Sequence, residues 1–197
     1  MHYVGTDPNP DNWLEEAGMS RYEGLARFYR RNVCQARQTT CEFFKLGSEV
    51  IRDDRLFKKY RGKLDLVFTS PPFYRAEGYS DDAHQSHVKF TTYDDWRDGF
   101  LRPSLETAVE WLKPGRPLIW NIADATDAGC YWPLEDDSKA ILAELGMQYE
   151  TKLKLVLSHS PGANRLDRKG IPETKNFCMI SGRYRKYEPI FVFRKPG

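Results

Sequence analysis

The sequence predicts an α/β fold, strands alternating with helices in a sheet that ends in an antiparallel hairpin. Three observations predict it. Short apolar runs alternate along the chain with stretches of helical spacing, the pattern of β-α-β units. The clearest run, "LDLVFTS" at 64–70, is almost continuously apolar, as in parallel strands covered on both faces. The last two runs, "TKLKLVLSH" and "EPIFVFRK", are joined by a long polar stretch and add an antiparallel edge.

Each element follows in order. "HYVGTD" reads as a short buried strand ending at Asp7, and "EGLARFYRRNVCQA" has helical spacing of Leu25, Phe28, Tyr29 and Val33. "TCEFFKLGS" is a second strand ending near Gly47, and "LDLVFTS" is the third. "TYDDWRDGFLRPSLETAVEWL" is a long helical pattern with Thr92 as N-cap and Pro103 as a kink or break. "KPGRP" turns the chain into the buried strand "LIWNIAD", and "EDDSKAILAELG" is a helix stopped by Gly146. The terminal pair of strands completes the series.

Bulk properties narrow the function classes. The 197 residues suit one domain, and an apolar fraction of 40% is enough for a core. No apolar run approaches the roughly 18 residues of a membrane span, and the N-terminus lacks the pattern of a signal peptide, so a soluble, cytoplasmic protein is expected. Cys34, Cys41, Cys130 and Cys178 form no CxxC pair, which argues for reduced thiols and no metal site. Net charge is only +2, but residues 151–197 hold eleven Lys/Arg against three Asp/Glu. The other 150 residues hold 19 basic and 25 acidic groups. A basic terminal part on a slightly acidic body suits an anionic polymer.

Four stretches could carry chemistry. In open α/β sheets ligands sit beyond the carboxyl ends of the strands, where an acid can take the ribose hydroxyls of a nucleotide-like cofactor. Asp7-Pro8 stands at such a place, with a plain Asp-Pro turn as the alternative. Ser48 and Glu49, just past the second strand, are the next candidates, opposite an adenine ring or simply at an exposed helix start.

The third stretch is the corner Ser70-Pro71-Pro72-Phe73. Two prolines fix φ and donate no N–H, so the backbone after Thr69 is stiff and its carbonyls are free acceptors. A carbonyl and the Ser70 side chain could accept the protons of an exocyclic amino group on a nucleobase. That would favour a pyramidal nitrogen and stabilise the positive charge that grows as it attacks a methyl group. Phe73 could stack on the base. In the segment that follows, His84 and His87 suit a substrate-contact or plain surface role, because a neutral amine needs no strong base before attack. The fourth stretch is the basic loop at about 158–186, expected between two edge strands. Arg165, Arg168, Lys169, Lys175, Arg183 and Arg185 there are candidate phosphate contacts.

Ser70-Pro71-Pro72-Phe73 resembles the [D/N/S]-P-P-[Y/F/W] motif of S-adenosylmethionine-dependent DNA amino-methyltransferases. "YVGTDPNP" is similar to that family's second-strand motif, "LKPGRPLIWNIAD" to its LKPGG-type turn and fifth strand, and "YEPIFVFRKP" to its ending. The likeness covers most of the chain from Tyr3 to Lys195. It implies a Rossmann-like class I methyltransferase sheet and S-adenosyl-L-methionine as cofactor, with Asp7, Pro8, Ser48, Glu49 and Ser70 around it. It also implies double-stranded DNA as partner, with a base flipped into the pocket of Ser70, Pro71, Pro72 and Phe73. Serine at the first motif position is associated more with cytosine N4 than with adenine N6.

The family's glycine-rich loop, which follows its first strand and wraps the methionine end of the cofactor, has no counterpart in residues 1–197. The family's sheet places that strand between those of "YVGTD" and "LDLVFTS". A sheet lacking the first strand is therefore expected, with apolar edges that close on each other, or that a second chain fills, or that mark a truncated product. The alternatives to a DNA methyltransferase are a catalytically silent DNA-binding subunit and a methyltransferase acting on RNA or a protein amide.

Overall fold

The structure, a computed structural model, describes residues 2–15, 19–32, 40–76, 82–127, 129–157 and 175–197. In chain order its elements are β1 (His2–Thr6), α1 (Arg21–Asn32), β2 (Thr40–Phe44), β3 (Val67–Thr69), α2 (Ser86–Lys89), α3 (Tyr93–Trp96) and α4 (Arg102–Trp111). Then come β4 (Pro117–Asn121), β5 (Ala125–Asp127), β6 (Cys130–Trp132), α5 (Leu134–Glu144), β7 (Gln148–Val156), β8 (Phe177–Ile180) and β9 (Arg183–Arg194). A π-helical stretch, Arg97–Leu101, joins α3 to α4. The chain divides into two compact units, Met1–Lys59 with Gly78–Thr107, and Tyr60–Glu77 with Ala108–Gly197.

In the first unit β1 and β2 pair in parallel, Val4 opposite Glu42 and Thr6 opposite Phe44, and α1 lies between them in sequence. Tyr22 of α1 stacks on Phe43 at 5.1 Å, and Phe44 meets the edge of Phe57 at 5.2 Å. The helical part is built on Trp96, which is fully buried and donates its indole N–H to Ser86 Oγ at 3.0 Å. Thr92 caps α3 as its sequence suggests, its Oγ1 accepting the amide of Asp95 at 3.1 Å. Pro103 cannot donate to the carbonyl one turn earlier and its ring crowds that turn. The helix widens to π geometry over Arg97–Leu101, the five residues before α4, which is the kink expected at this proline.

In the second unit the sheet order is β3-β4-β9-β7, with β8 hairpinned onto β9. β3 and β4 are parallel, and β9 is antiparallel to both β4 and β7. Alternate residues of β9 point into the core: Phe191 and Phe193 are buried opposite Trp120 and Leu118. Trp120 donates its indole N–H to Ser138 of α5 at 3.3 Å. α5 stops where Gly146 takes φ +76, a left-handed C-cap that glycine adopts without a Cβ clash.

Three expectations need correction. The run 64–70 is not a strand covered on both faces; only Val67–Thr69 is extended, with Phe68 64% and Leu66 49% exposed. Among the described residues β3 pairs only with β4, so it is the edge of its sheet. β1 is likewise exposed to half-buried and pairs only with β2. The basic segment does not join two edge strands: β7 is an edge, whereas β9 lies between β4 and β7. Two hairpins were not foreseen, β5–β6 and β8–β9. No helix among the described residues is long and apolar enough to cross a membrane.

Candidate active site

The Ser70–Phe73 corner leaves the carboxyl end of β3, where Thr69 pairs with Trp120. Ser70 is exposed, Pro71 buried, Pro72 half-buried and Phe73 buried. Among the described residues neither the Ser70 hydroxyl nor the Pro71 carbonyl has a hydrogen-bond partner, at a backbone that two proline rings hold stiff. The chain then turns sharply. Tyr74 sits at φ +51, a left-handed conformation that costs a non-glycine residue on the order of 1 kcal/mol. Burial holds it there: Tyr74 is 1% exposed, and its ring meets Trp132 of β6 edge-on at 5.3 Å.

Asp7 and Pro8 follow β1 in the first unit, and the Asp7 amide extends the β1–β2 ladder to the Phe44 carbonyl at 3.0 Å. The Asp7 carboxylate is well occupied. Oδ1 accepts the Asn9 amide at 2.8 Å, while Oδ2 accepts Asn12 Nδ2 at 2.8 Å and the Tyr22 hydroxyl. Burial, then the hydrogen bond to Asp7, push the Tyr22 phenol well above the usual tyrosine range. Ser48 and Glu49 lie in the same unit. Ser48 Oγ meets Ser104 Oγ at 2.7 Å, and Glu49 Oε1 accepts Lys89 Nζ at 3.1 Å. The Glu49 side chain is 7% exposed and folds back over Gly47, where an added Cβ would lie 2.2 Å from its Oε2. Glycine is therefore required for this carboxylate to take its position.

His84 is exposed and bonded through Nδ1 to Asp82 at 2.7 Å; its amide, then its ring, hold the Asp82 carboxyl below the usual range. His87 Nδ1 is buried with no partner among the described residues. No cluster of metal-ligating side chains occurs among the described residues. Cys41, Cys130 and Cys178 are free thiols.

Of the expected phosphate contacts, Arg165, Arg168 and Lys169 lie outside the described residues. Arg183 is exposed and Arg185 half-buried, and neither meets a carboxylate among the described residues. Lys175 has a different surrounding: its ammonium is paired with Asp124, whose side chain is 5% exposed. Burial pulls the Lys175 pKa down, but the Asp124 hydrogen bond and charge outweigh it and raise the group well above the ordinary lysine range. Asp124 Oδ2 also accepts the Tyr131 hydroxyl at 2.5 Å, and Oδ1 accepts the Glu135 amide at 2.9 Å. The sequence offered one signal for this cluster, the acid that ends "LIWNIAD".

Asp7, Pro8, Ser48 and Glu49 belong to the first unit; Ser70–Phe73, Lys175, Arg183 and Arg185 belong to the second. The Asp7 and Glu49 carboxylates stand beyond two adjacent parallel strands, and both already accept from protein donors, Asp7 from Asn9, Asn12 and Tyr22 and Glu49 from Lys89.

No protein-family model matches the chain, and no curated protein matches it. Solved structures do. A candidate methyltransferase of Bacillus halodurans superposes with a TM-score of 0.51 at 11% identity, covering 100% of this chain and 93% of its own. A candidate DNA modification methylase of Thermus thermophilus, solved with S-adenosyl-L-methionine, gives 0.46 at 20% identity over 77% of this chain and 54% of its own. The PvuII cytosine-N4 DNA methyltransferase gives 0.43 at 15% identity over 69% and 45%. The chain thus spans about half the length of the latter two proteins. At such identities the Bacillus match shows the fold alone, an α/β architecture with antiparallel terminal strands.

Proposed function

We propose that this chain is the catalytic part of an S-adenosyl-L-methionine-dependent DNA methyltransferase that modifies an exocyclic amino group of a flipped base, cytosine N4 in preference to adenine N6. One observation carries the reading: among the described residues the Ser70 hydroxyl and the Pro71 carbonyl have no hydrogen-bond partner, on a stiff corner at the carboxyl end of a parallel strand. An amino group held there donates to both, so its lone pair turns away from the ring and towards the methyl donor. As positive charge grows on the nitrogen, both acceptors stabilise it. S-adenosyl-L-methionine, when bound, would supply a sulfonium methyl group, the N–C bond forming as the S–C bond breaks and the nitrogen giving up one proton. That proton departs to water along the hydrogen bond to Ser70 Oγ, and no strong base is needed before attack. Phe73 supports the base, and Asp7, Pro8, Ser48 and Glu49 hold the adenosine half of the cofactor. Arg183 and Arg185, with Arg165, Arg168, Lys169 and Lys175 of the same basic stretch, serve the DNA phosphates.

The methionine end of the cofactor needs a glycine-rich loop from a further segment or a second chain, a reading supported by the exposed Phe68 of strand β3, which among the described residues is an edge, and by the exposed Leu66 just before it. The second reading, a DNA-binding subunit that is silent without such a partner, is favoured by the engagement of Asp7 and Glu49 with protein donors.

Transfer of labelled methyl from S-adenosyl-L-methionine to DNA tests the proposal. Ser70→Ala should lower the rate about 100-fold, the usual loss on removing one hydrogen-bonding group from charge stabilisation. Calorimetry should show cofactor binding intact in that variant. Undiminished transfer by Ser70→Ala would remove the corner from the chemistry.

A further inference from the structure

The acidic cluster around Asp124 links two parts of the second unit that the sequence keeps far apart. The Asp124 side chain is 5% exposed and Glu135 is buried, and among the described residues the ammonium paired with Asp124 is that of Lys175, itself 48% exposed. Glu135 Oε1 accepts Asn176 Nδ2 at 2.8 Å and the Asp124 amide at 3.4 Å. Lys175 and Asn176 lead directly into β8, and the Asn176 carbonyl accepts the Tyr187 amide of β9 at 2.9 Å. On the other side, Asp124 leads into the β5–β6 hairpin, whose Trp132 braces Tyr74 at the exit of the Ser70–Phe73 corner.

We propose that Asp124 is a positioning residue, which clasps the start of the basic β8–β9 hairpin to the β5–β6 hairpin and thereby holds Tyr74 and the corner in place. This rests on the methyltransferase reading only where turnover is concerned. The physical ground is the cost of leaving a desolvated carboxylate without its cation. Without the Lys175 ammonium, Asp124 keeps only the Glu135 amide and the Tyr131 hydroxyl as donors among the described residues, and the cheapest relief is to let water in by opening β5–β6. Tyr74 then loses the packing that keeps its left-handed backbone, and the corner relaxes with it. A basic surface and an acceptor corner that share one clasp keep a fixed spacing, which a base flipped from a duplex requires once its phosphates are held.

Hydrogen exchange of the full chain tests the clasp without reference to activity. Lys175→Met and Asp124→Asn should each speed exchange of the Tyr74–Ala76 and Cys130–Trp132 amides by about tenfold or more, the response of a locally opened segment. The double variant should add little to either single, because both break one interaction. Lys175→Arg, which keeps the charge, should exchange like the unaltered chain, as should Lys186→Met, which removes a cation from the same hairpin outside the clasp. In the transferase assay kcat should fall about tenfold for Asp124→Asn with KM for DNA within about twofold, the signature of lost positioning with binding retained. Unchanged exchange at Tyr74–Ala76 in both clasp variants overturns the proposal, as does a Lys175→Arg variant as open as Lys175→Met. If the unaltered chain transfers no methyl group, the methyltransferase reading fails by itself and the exchange result still decides the clasp.

Discussion

Asp7 organises the loop after β1 by accepting from a backbone amide, an asparagine and a tyrosine, so it closes a turn before it can serve a ligand. The Tyr22 hydroxyl in that set has a measurable consequence. Its folded-state pKa is raised above the ordinary 10.0, so its contribution to stability is complete below pH 10 and is lost as pH rises through the raised value. Urea midpoints should therefore fall between pH 9 and 11 more steeply in the unaltered chain than in Tyr22→Phe. At neutral pH Tyr22→Phe should cost about 1 kcal/mol, because Asp7 retains two other donors. Equal slopes in the two proteins would show that the hydroxyl does not hold its proton through Asp7. The Asp-Pro turn itself was legible in "TDPNP", because an Asx turn is a local device. The Tyr22 partner was not, since fifteen residues separate the two.

At the scale of elements, α4 ends without a basic residue in its last turn. The missing cation comes from beyond β9: Lys195 Nζ donates to the Val109 carbonyl at 2.8 Å and to the Leu112 carbonyl at 2.9 Å. Two orphan carbonyls at a helix C-terminus are thus satisfied by a charge that also suits the helix dipole. Lys195→Met should lower stability by about 1–2 kcal/mol in a denaturant titration, whereas Lys152→Met, an exposed lysine of edge strand β7, should change it by less than about 0.5 kcal/mol. A Lys195→Met variant as stable as the unaltered chain would mean that water replaces the cap without loss. Helix ends were readable at Thr92 and Gly146, because cap and stop signals act over three or four residues. The π-helical turn before Pro103 was readable only as a kink, since proline dictates that a helix must deform without dictating how.

For the whole molecule, the uneven charge has a thermodynamic signature if DNA is the partner. Each phosphate contact adds about one unit to the slope of log affinity against log salt, so Arg183→Ala and Arg185→Ala should each lower that slope by about 1. A slope left unchanged by both would take the β8–β9 hairpin out of the interface. The alternation of strands and helices, the antiparallel ending and the corner at Ser70 were all legible, because period and turn chemistry are written in short windows. Which strand is central was not. "LDLVFTS" has the composition of a covered strand, yet Phe68 is 64% exposed at an edge, because neighbours are assigned by topology rather than by the run itself. The Lys175–Asp124 clasp was hidden for the same reason. The position of β9 also bears on biosynthesis. It fills the slot between β4 and β7 but is translated after both, so a nascent chain that has already left the ribosome through β7 holds a sheet with its middle strand missing. Trp120 and Leu118 then wait without Phe191 and Phe193, and holding chaperones have a defined interval in which to act.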